Sequence, residues 1–420
     1  MGVMVRVGGA AQTDRGRRAT AMLLGVVVAA AAAACSGGGG NPAGGVELSL
    51  APTDVAAVSP DSPITVRARR GTVENVTVTA KGEQVEGTLS PDRTRWDSRW
   101  TLVPGASYTV TATGLGSDGR TRTVSREFRT AKPAQTVATT IEAPFDKEVV
   151  GVGIPIILRF DKEVQDRAAV ERALEVQAAR PVEGAWHWFG NQSVVFRTRQ
   201  YWPAHTAVSF RAHLSGVRLA KDTWGGRNYT VNFRTGDEHT SVAGEDSHVM
   251  VVHKNGKKIR SMPISMGRGG ATKYTTTNGM HLTMEKDDPV VMDSSTVGCG
   301  PGCADYYRET VYAAVRISNS GEYVHSAPWS VGDQGNSNVS HGCINASPSD
   351  ARWFYNFSYR GDPVRVTGTS RELEPENGWG YWQLGWQDWV KGSALGRSVT
   401  TGPANGNSAA AGLGDARGPA

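Results

Sequence analysis

From residue 46 to about 130 apolar and polar positions alternate in short runs, as in Pro63-Ile-Thr-Val-Arg-Ala, Val76-Thr-Val-Thr and Tyr108-Thr-Val-Thr-Ala, broken by clusters of Gly, Pro, Ser and Asp. A period of two places alternate side chains on one face, so these runs predict half-buried antiparallel strands joined by turns. The pattern then returns. Pro155-Ile-Ile-Leu-Arg-Phe answers the run at Pro63, and Val231-Asn-Phe-Arg-Thr answers Arg126-Glu-Phe-Arg-Thr, with Phe128 and Phe233 standing 105 residues apart. That interval is the size of one immunoglobulin-like β-sandwich, so two tandem sandwiches are expected, over 46–131 and 132–236. Neither contains Cys, so inward apolar residues alone must hold their sheets together. Within the second, Asp166 to Leu174 fits a short helix with one apolar face.

The pattern changes near Gly236. Val249-Met-Val-Val-His and Lys257-Lys-Ile-Arg flank Asn255-Gly256, whose residue types suit the two positive-φ positions of a type I′ hairpin. One convincing helix follows, from Pro348 to about Tyr359. Ser347 is its N-cap, Pro348 sits at N1, Asp350 at N3, and Gly361 lies beyond its end. The strand Pro363-Val-Arg-Val-Thr closes a third, β-rich domain over 237–370 with one main helix. Trp379, Tyr381, Trp382, Trp386 and Trp389 then fall within eleven residues, so 371–392 is expected to pack back across a domain junction, a sugar-binding platform being the alternative. Gly, Ala, Ser and Asn dominate 393–420, which is expected to be disordered. The fold class is therefore mainly β.

The chain has 420 residues and a formal net charge of +5, three of those five charges arising before residue 35. So small and scattered an excess excludes a nucleic-acid footprint, which needs basic residues gathered on one face. Arg17 and Arg18 precede an apolar run from Ala19 to Ala34, too short for a bilayer span of about 20 residues but suited to an export signal over 1–34. Cys35 follows it and opens a Gly-rich tether over 35–45. His187, His205 and His213 lack metal-ligand spacing, so structural roles, no metal and no cofactor are expected.

Export makes four cysteines informative. Cys299 and Cys303 flank Gly-Pro-Gly, and outside the cytosol they are expected to close a small disulfide, with a redox pair or half a zinc site as alternatives. Cys343, in Ser340-His-Gly-Cys-Ile-Asn-Ala-Ser, is then unpaired, and as an exposed thiol it calls for a chemical role. A thiol is mostly protonated at neutral pH, so acyl transfer needs an adjacent imidazole. His325, at the end of Tyr323-Val-His-Ser, is one candidate; His341, two residues before the thiol, is the other. Gly342 permits a sharp turn, and the amides of Gly342 and Cys343 are candidate oxyanion donors.

His325-Ser-Ala-Pro-Trp with Ser340-His-Gly-Cys-Ile-Asn-Ala-Ser-Pro resembles the active-site signature of the bacterial L,D-transpeptidases, and Met292-Asp-Ser-Ser-Thr fits the same family's cleft. The preceding sandwiches and the Trp-rich extension resemble its mycobacterial and actinobacterial branch, and Ala-Ala-Ala before Cys35 resembles a lipoprotein box. The resemblance implies that Cys343 attacks the amide between the third and fourth residues of a peptidoglycan tetrapeptide stem, releases D-Ala and forms a thioester. A second stem's amine then makes a 3→3 cross-link between diaminopimelate residues. It further implies His325 as base, the Ser326 carbonyl as its orienting partner, and Ser320, Gly321, Asn345, Trp329, Met292 and His341 along the cleft. Tyr307 is the implied lid tyrosine, carbapenem-type β-lactams the implied covalent inhibitors, and a lipid on Cys35 the membrane anchor at the outer face of the cytoplasmic membrane. Hydrolysis of the thioester, transfer to an envelope protein and a non-catalytic envelope-binding module are the competing readings. The chain departs from the family at Ser295-Thr-Val-Gly, where the lid usually reads Ser-Thr-Tyr-Gly, and in carrying the Cys299/Cys303 pair there.

Overall fold

A computed structural model describes residues 45–402. The leader, the lipidation candidate Cys35 and the end of the C-terminal tail lie outside the described residues. In the first sandwich, one sheet is ordered Glu47–Ala51, Thr65–Arg69, Arg95–Ser98, Gly87–Leu89, and the facing sheet Glu83–Gln84, Gly71–Ala80, Ser107–Gly116, Thr121–Arg129. Alternation does the work here: along Ser107–Gly116 Tyr108, Val110 and Ala112 turn inward and meet Ile64, Val66, Val78 and Phe128. Tyr108 also accepts the Val103 N–H on its hydroxyl at 2.6 Å, so its polar end is satisfied within the core.

The second sandwich pairs the sheet Thr139–Ala143, Ile156–Phe160, Ser193–Thr198, Glu183–Phe189, Val399–Thr400 with the sheet Val149–Val150, Tyr229–Thr235, Ala207–Ala212, Leu174–Ala178. The short helix runs Arg167–Arg172. Every residue of Ser193–Thr198 is buried, because the Trp-rich segment covers the outer face of its sheet. Trp389 donates its indole N–H to the Ala185 carbonyl at 2.9 Å, and the Arg197 guanidinium, itself buried, lies 4.7 Å from the Trp382 and Trp389 rings. Burying an arginine with no carboxylate beside it is costly, and aromatic faces together with the Leu384 carbonyl, 2.7 Å away, offset that cost.

The tail expectation is corrected for 393–402. Ser393 Oγ and the Ala394 amide donate to the buried carboxylate of Glu171 at 2.7 and 2.6 Å, and Val399–Thr400 adds a strand beside Glu183–Gly184. Small polar residues supply little hydrophobic drive, but backbone pairing and one buried acceptor fix them, and composition reports neither.

The third region is one long mixed sheet ordered Lys286–Asp287, Arg308–Arg316, Tyr323–Ser326, Ile344–Ala346, Lys257–Ser265, Val249–Lys254, His239–Gly244, Pro363–Thr367, Thr277–Leu282, Arg371–Glu372, with Val290–Asp293 paired to Arg308–Arg316. Asn255 and Gly256 take φ of 50° and 75° at the expected hairpin. The helix Pro348–Phe357 is capped by Ser347 Oγ, which accepts the Asp350 amide at 3.1 Å, and it buries Ala351 and Phe354 against Met250, Ile264, Val324 and Ile344. The second sandwich meets this sheet through close backbone approach. A Cβ on Gly151 would stand 2.2 Å from the Asp362 amide, and beside it Arg360 grips both carboxylate oxygens of Glu148 at 3.0 and 3.1 Å.

Candidate active site

Tyr323–Ser326 and Ile344–Ala346 are adjacent parallel strands, with Val324 opposite Ile344 and His325 opposite Asn345. Cys343, one residue before its strand, therefore lies beside Tyr323 on the face that carries His325 and Asn345, and strand geometry puts the Cys343 and His325 backbones about 8 Å apart. The turn before the thiol is fixed by glycine and serine. Gly342 takes φ of 127°, which an L side chain resists, and Ser340 Oγ accepts the Gly342 amide at 3.1 Å while donating to the Cys343 carbonyl at 2.6 Å. That bond occupies the Gly342 amide. The expectation that it serves an oxyanion is therefore corrected for this conformation: Ser340 has already taken the donor.

His325 is 2% exposed and donates Nδ1–H to the Ser326 carbonyl at 3.0 Å, which directs the lone pair to Nε2. Burial pushes its pKa down to about 4, opposed by hydrogen bonds to the Ser326 carbonyl and the Asn345 side chain. Asn345 is itself anchored, donating Nδ2–H to Ser330 Oγ at 3.0 Å. His341 is arranged otherwise. Its Nε2 lies 3.1 Å from the Arg268 guanidinium, which can only donate, so the lone pair a base would need is engaged. The two histidines are thereby distinguished: only His325 has its tautomer fixed on the thiol's side of the sheet.

The thiol was expected to be exposed; it is buried. It donates toward the Gly321 carbonyl at 3.6 Å, lies 4.0 Å from Met292 Sδ, and packs among Val311, Ala314 and Tyr323. Burial pushes its pKa up to about 12, opposed by a backbone hydrogen bond from Tyr323 and reinforced by the Glu322 charge. At neutral pH the pair thus rests as thiol and neutral imidazole, and the proton must leave as the sulfur attacks. Tyr307 is half-buried near the sulfur, and burial pushes its hydroxyl up to about 12, so it stays a donor. Trp329 is exposed, its ring 6.1 Å from that of His325.

Cys299 and Cys303 are bonded to each other, closing the ring expected for them. The 3-10 turn Ser294–Val297 leads into it, and the Ser294 hydroxyl donates to the Cys299 carbonyl at 2.8 Å and accepts the Tyr307 amide at 2.9 Å. Met292, the disulfide ring and Tyr307 thus belong to one segment, the cover, joined through Ser294, and Met292 brings it to within 4.0 Å of the sulfur. Ser320 belongs to the opposite wall: its amide and hydroxyl meet the Asn377 side chain at 2.8 and 2.9 Å, and Gly321 beside it supplies the carbonyl that faces the thiol.

Sequence reasoning missed the buried polar support beneath this wall. Thr276 Oγ1 donates to the Gly342 carbonyl at 2.8 Å, while Thr277 gives both its amide and its hydroxyl to the Glu322 carboxylate at 2.7 Å. A hydroxyl has one proton, so the 2.7 Å contact from Thr277 Oγ1 to buried His281 is a donation from His281 Nε2–H. The run Thr275-Thr-Thr reads as a strand surface, and Glu322, after Ser318-Asn-Ser-Gly and just before the strand Tyr323-Val-His-Ser, reads as a turn residue, so neither signals a buried partner. No group of three or more His, Cys, Asp or Glu able to hold a metal occurs among the described residues.

A family model described as the L,D-transpeptidase catalytic domain matches residues 241–366, and one described as a bacterial Ig domain matches 55–218. L,D-transpeptidase 2 of Mycobacterium tuberculosis is 40% identical over 351 residues, 83% of this chain and 85% of that protein. L,D-transpeptidase 5 of the same species is 35% identical over 84% of this chain and 78% of its own length. A solved L,D-transpeptidase in complex with imipenem is 39% identical, covering 56% of this chain and all of its own, with a TM-score of 0.48. With two relatives matched along most of both chains, and the catalytic model spanning the strands that carry His325 and Cys343, this chain belongs to the L,D-transpeptidase family.

Proposed function

We propose that Cys343 is the nucleophile and His325 the base of a peptidoglycan L,D-transpeptidase, an exported acyltransferase that builds 3→3 cross-links between diaminopimelate residues. One observation carries the assignment of roles: the one free thiol among the described residues and a neutral imidazole, its tautomer set by the Ser326 carbonyl, share one face of adjacent parallel strands. The Cys343 sulfur adds to the donor carbonyl as its proton passes to His325 Nε2. The same nitrogen returns that proton to the departing D-Ala amine, leaving a thioester that the acceptor amine then cleaves. The Cys343 amide and the Tyr307 hydroxyl are the donors left for the oxyanion, since Gly342 gives its amide to Ser340. Met292 and Trp329 line the approach; Asn345, Ser320 and Gly321 order it.

The test is incubation with a disaccharide tetrapeptide followed by mass spectrometry. A dimer lacking one D-Ala is expected. A tripeptide alone would make the protein a carboxypeptidase, and sacculus binding without turnover would make it an adhesion module. The relative solved with imipenem supports extending covalent carbapenem capture to Cys343 here. The leader and Cys35 support a lipoprotein at the outer face of the cytoplasmic membrane, with the sandwiches as a stalk lifting the catalytic sheet into the wall. Detergent-phase partitioning abolished by Cys35→Ser is the expected result.

A further inference from the structure

Arg268 stands beside the nucleophile turn on a rigid backbone. Its amide donates to the Ser340 carbonyl at 3.0 Å, next to a bridge between Gly267 and Ser340, so its position is tied to residues three before the thiol. The guanidinium lies 3.9 Å from the centre of the Tyr274 ring, points one nitrogen at His341 and gives another to Asp305 Oδ1 at 3.0 Å. The Tyr274 hydroxyl donates to the other oxygen of Asp305. A carboxylate with both oxygens engaged by an arginine and a tyrosine hydroxyl is what a bound carboxylate ligand would look like, and here a residue of the protein supplies it.

Asp305 lies in the cover, between Cys303 and Tyr307. Cys343 is only 9% exposed and Met292 Sδ lies 4.0 Å from its sulfur, so a shift of the segment that carries Met292 and Asp305 would widen the approach to the thiol. Among the described residues no other carboxylate pairs with Arg268; Lys273 lies over the Tyr274 ring, Arg371 reaches the Thr272 carbonyl at 3.4 Å and pairs with Glu374, and Arg308 faces Asp293 at 3.8 Å. Withdrawing Asp305 from this half-exposed pair costs little and frees a guanidinium fork and a tyrosine hydroxyl, which another carboxylate can engage in its place. A ligand moves such an equilibrium only through different affinity for its two states, and an anion that binds Arg268 only after Asp305 has left meets that condition.

We propose that Arg268 and Tyr274 form the receptor for a carboxylate of the incoming acyl donor, and that Asp305 fills this receptor while the site is closed. The idea rests on the transpeptidase reading and names the part of the donor that opens the site. Stem peptides and carbapenems both carry a carboxylate near the carbonyl attacked, so one receptor serves both.

The experiment measures acylation of the full ectodomain by a carbapenem and by its methyl ester, with iodoacetamide alkylation of Cys343 as a measure of simple access. Arg268→Gln is expected to slow capture of the free acid by roughly tenfold to a hundredfold, the scale of a hydrogen bond to a charged group, and to leave the ester within about twofold. Asp305→Asn is expected to accelerate the free acid more than the ester or iodoacetamide, and the double variant to behave as Arg268→Gln alone. Arg268→Lys, which keeps the charge and loses the fork, is expected to fall between and serves if the glutamine variant does not fold. Equal effects on acid, ester and iodoacetamide would overturn the proposal and leave Asp305 a mechanical catch. Wild-type protein inert to every acylating agent would instead defeat the transpeptidase reading on which the proposal stands.

Discussion

The floor and the cover of the active site are built on different principles. The floor consists of paired strands, with Cys343 and His325 on neighbouring backbones and the nucleophile turn stapled by Ser340, Thr276 and the Thr277–Glu322 contact. Its polar groups are buried and mutually satisfied, an arrangement that holds one geometry. The cover is a loop closed by one disulfide, one serine hydroxyl and the exposed pair Arg268–Asp305. Exposed ion pairs contribute about 0–1 kcal/mol, so the cover can move while the floor stays fixed. On the proposed roles, chemistry falls to the floor and admission to the cover.

If that division holds, floor substitutions should act on the chemical step and cover substitutions on access. Cys343→Ala should abolish thioester formation in intact-protein mass spectrometry, and His325→Ala should lower the acylation rate by about 10²–10⁴, the usual contribution of a general base. A rate unchanged in the histidine variant would place the base elsewhere. The acid limb of the acylation rate should lie near pH 4, where burial holds the His325 imidazole, against about 6.5 for a solvated one. Because the folded value lies below the unfolded one, the stability of the neutral imidazole is complete above about pH 6.5 and is lost as pH falls toward 4. Rates followed from pH 3.5 to 8 would reveal a limb at 6.5 if the imidazole is solvated instead.

Thr277→Val removes the hydroxyl that donates to Glu322 and accepts from His281, keeps the backbone amide bond to Glu322, and should slow acylation by roughly tenfold, following a loss of about 1–3 kcal/mol at a buried acceptor, while Thr277→Ser should restore it. Equal defects in both variants would mean packing rather than hydrogen bonding. Replacing Cys299 and Cys303 by serine should remove about 2 kcal/mol of loop-closure stabilisation from the cover and speed capture of bulky carbapenems. Equal capture rates with and without the bond would show that the ring does not restrain entry. The smallest effect is expected at Asn377→Ala, about fivefold on turnover from loosening Ser320 through lost hydrogen bonds of about 1 kcal/mol.

Legibility divides along the same line. Ser340-His-Gly-Cys and His325-Ser carry their chemistry in consecutive residues, because a turn that needs glycine and a histidine tautomer set by the next carbonyl are both local. The support beneath them joins residues 277 and 322, and the contact at the mouth joins 268, 274 and 305. Neither has a period or a spacing to betray it, and the same holds for Glu171 collecting the chain at 393–395.

Alternation, turn residues and capping thus determined the strands, the hairpin at Asn255-Gly256 and the helix after Ser347, since each depends on neighbours within a few positions. The spacing of Cys299 and Cys303 and the place of Cys35 after the leader gave the expectation of one unpaired thiol, and the Cys299–Cys303 bond in the structure agrees with it. Only the tertiary structure decided that this thiol is buried, that the Gly342 amide is spent on Ser340, and that Arg197 and Ser193–Thr198 are covered on both faces. Burial and hydrogen-bond satisfaction depend on which distant segments meet, and that is settled by packing the whole chain at once.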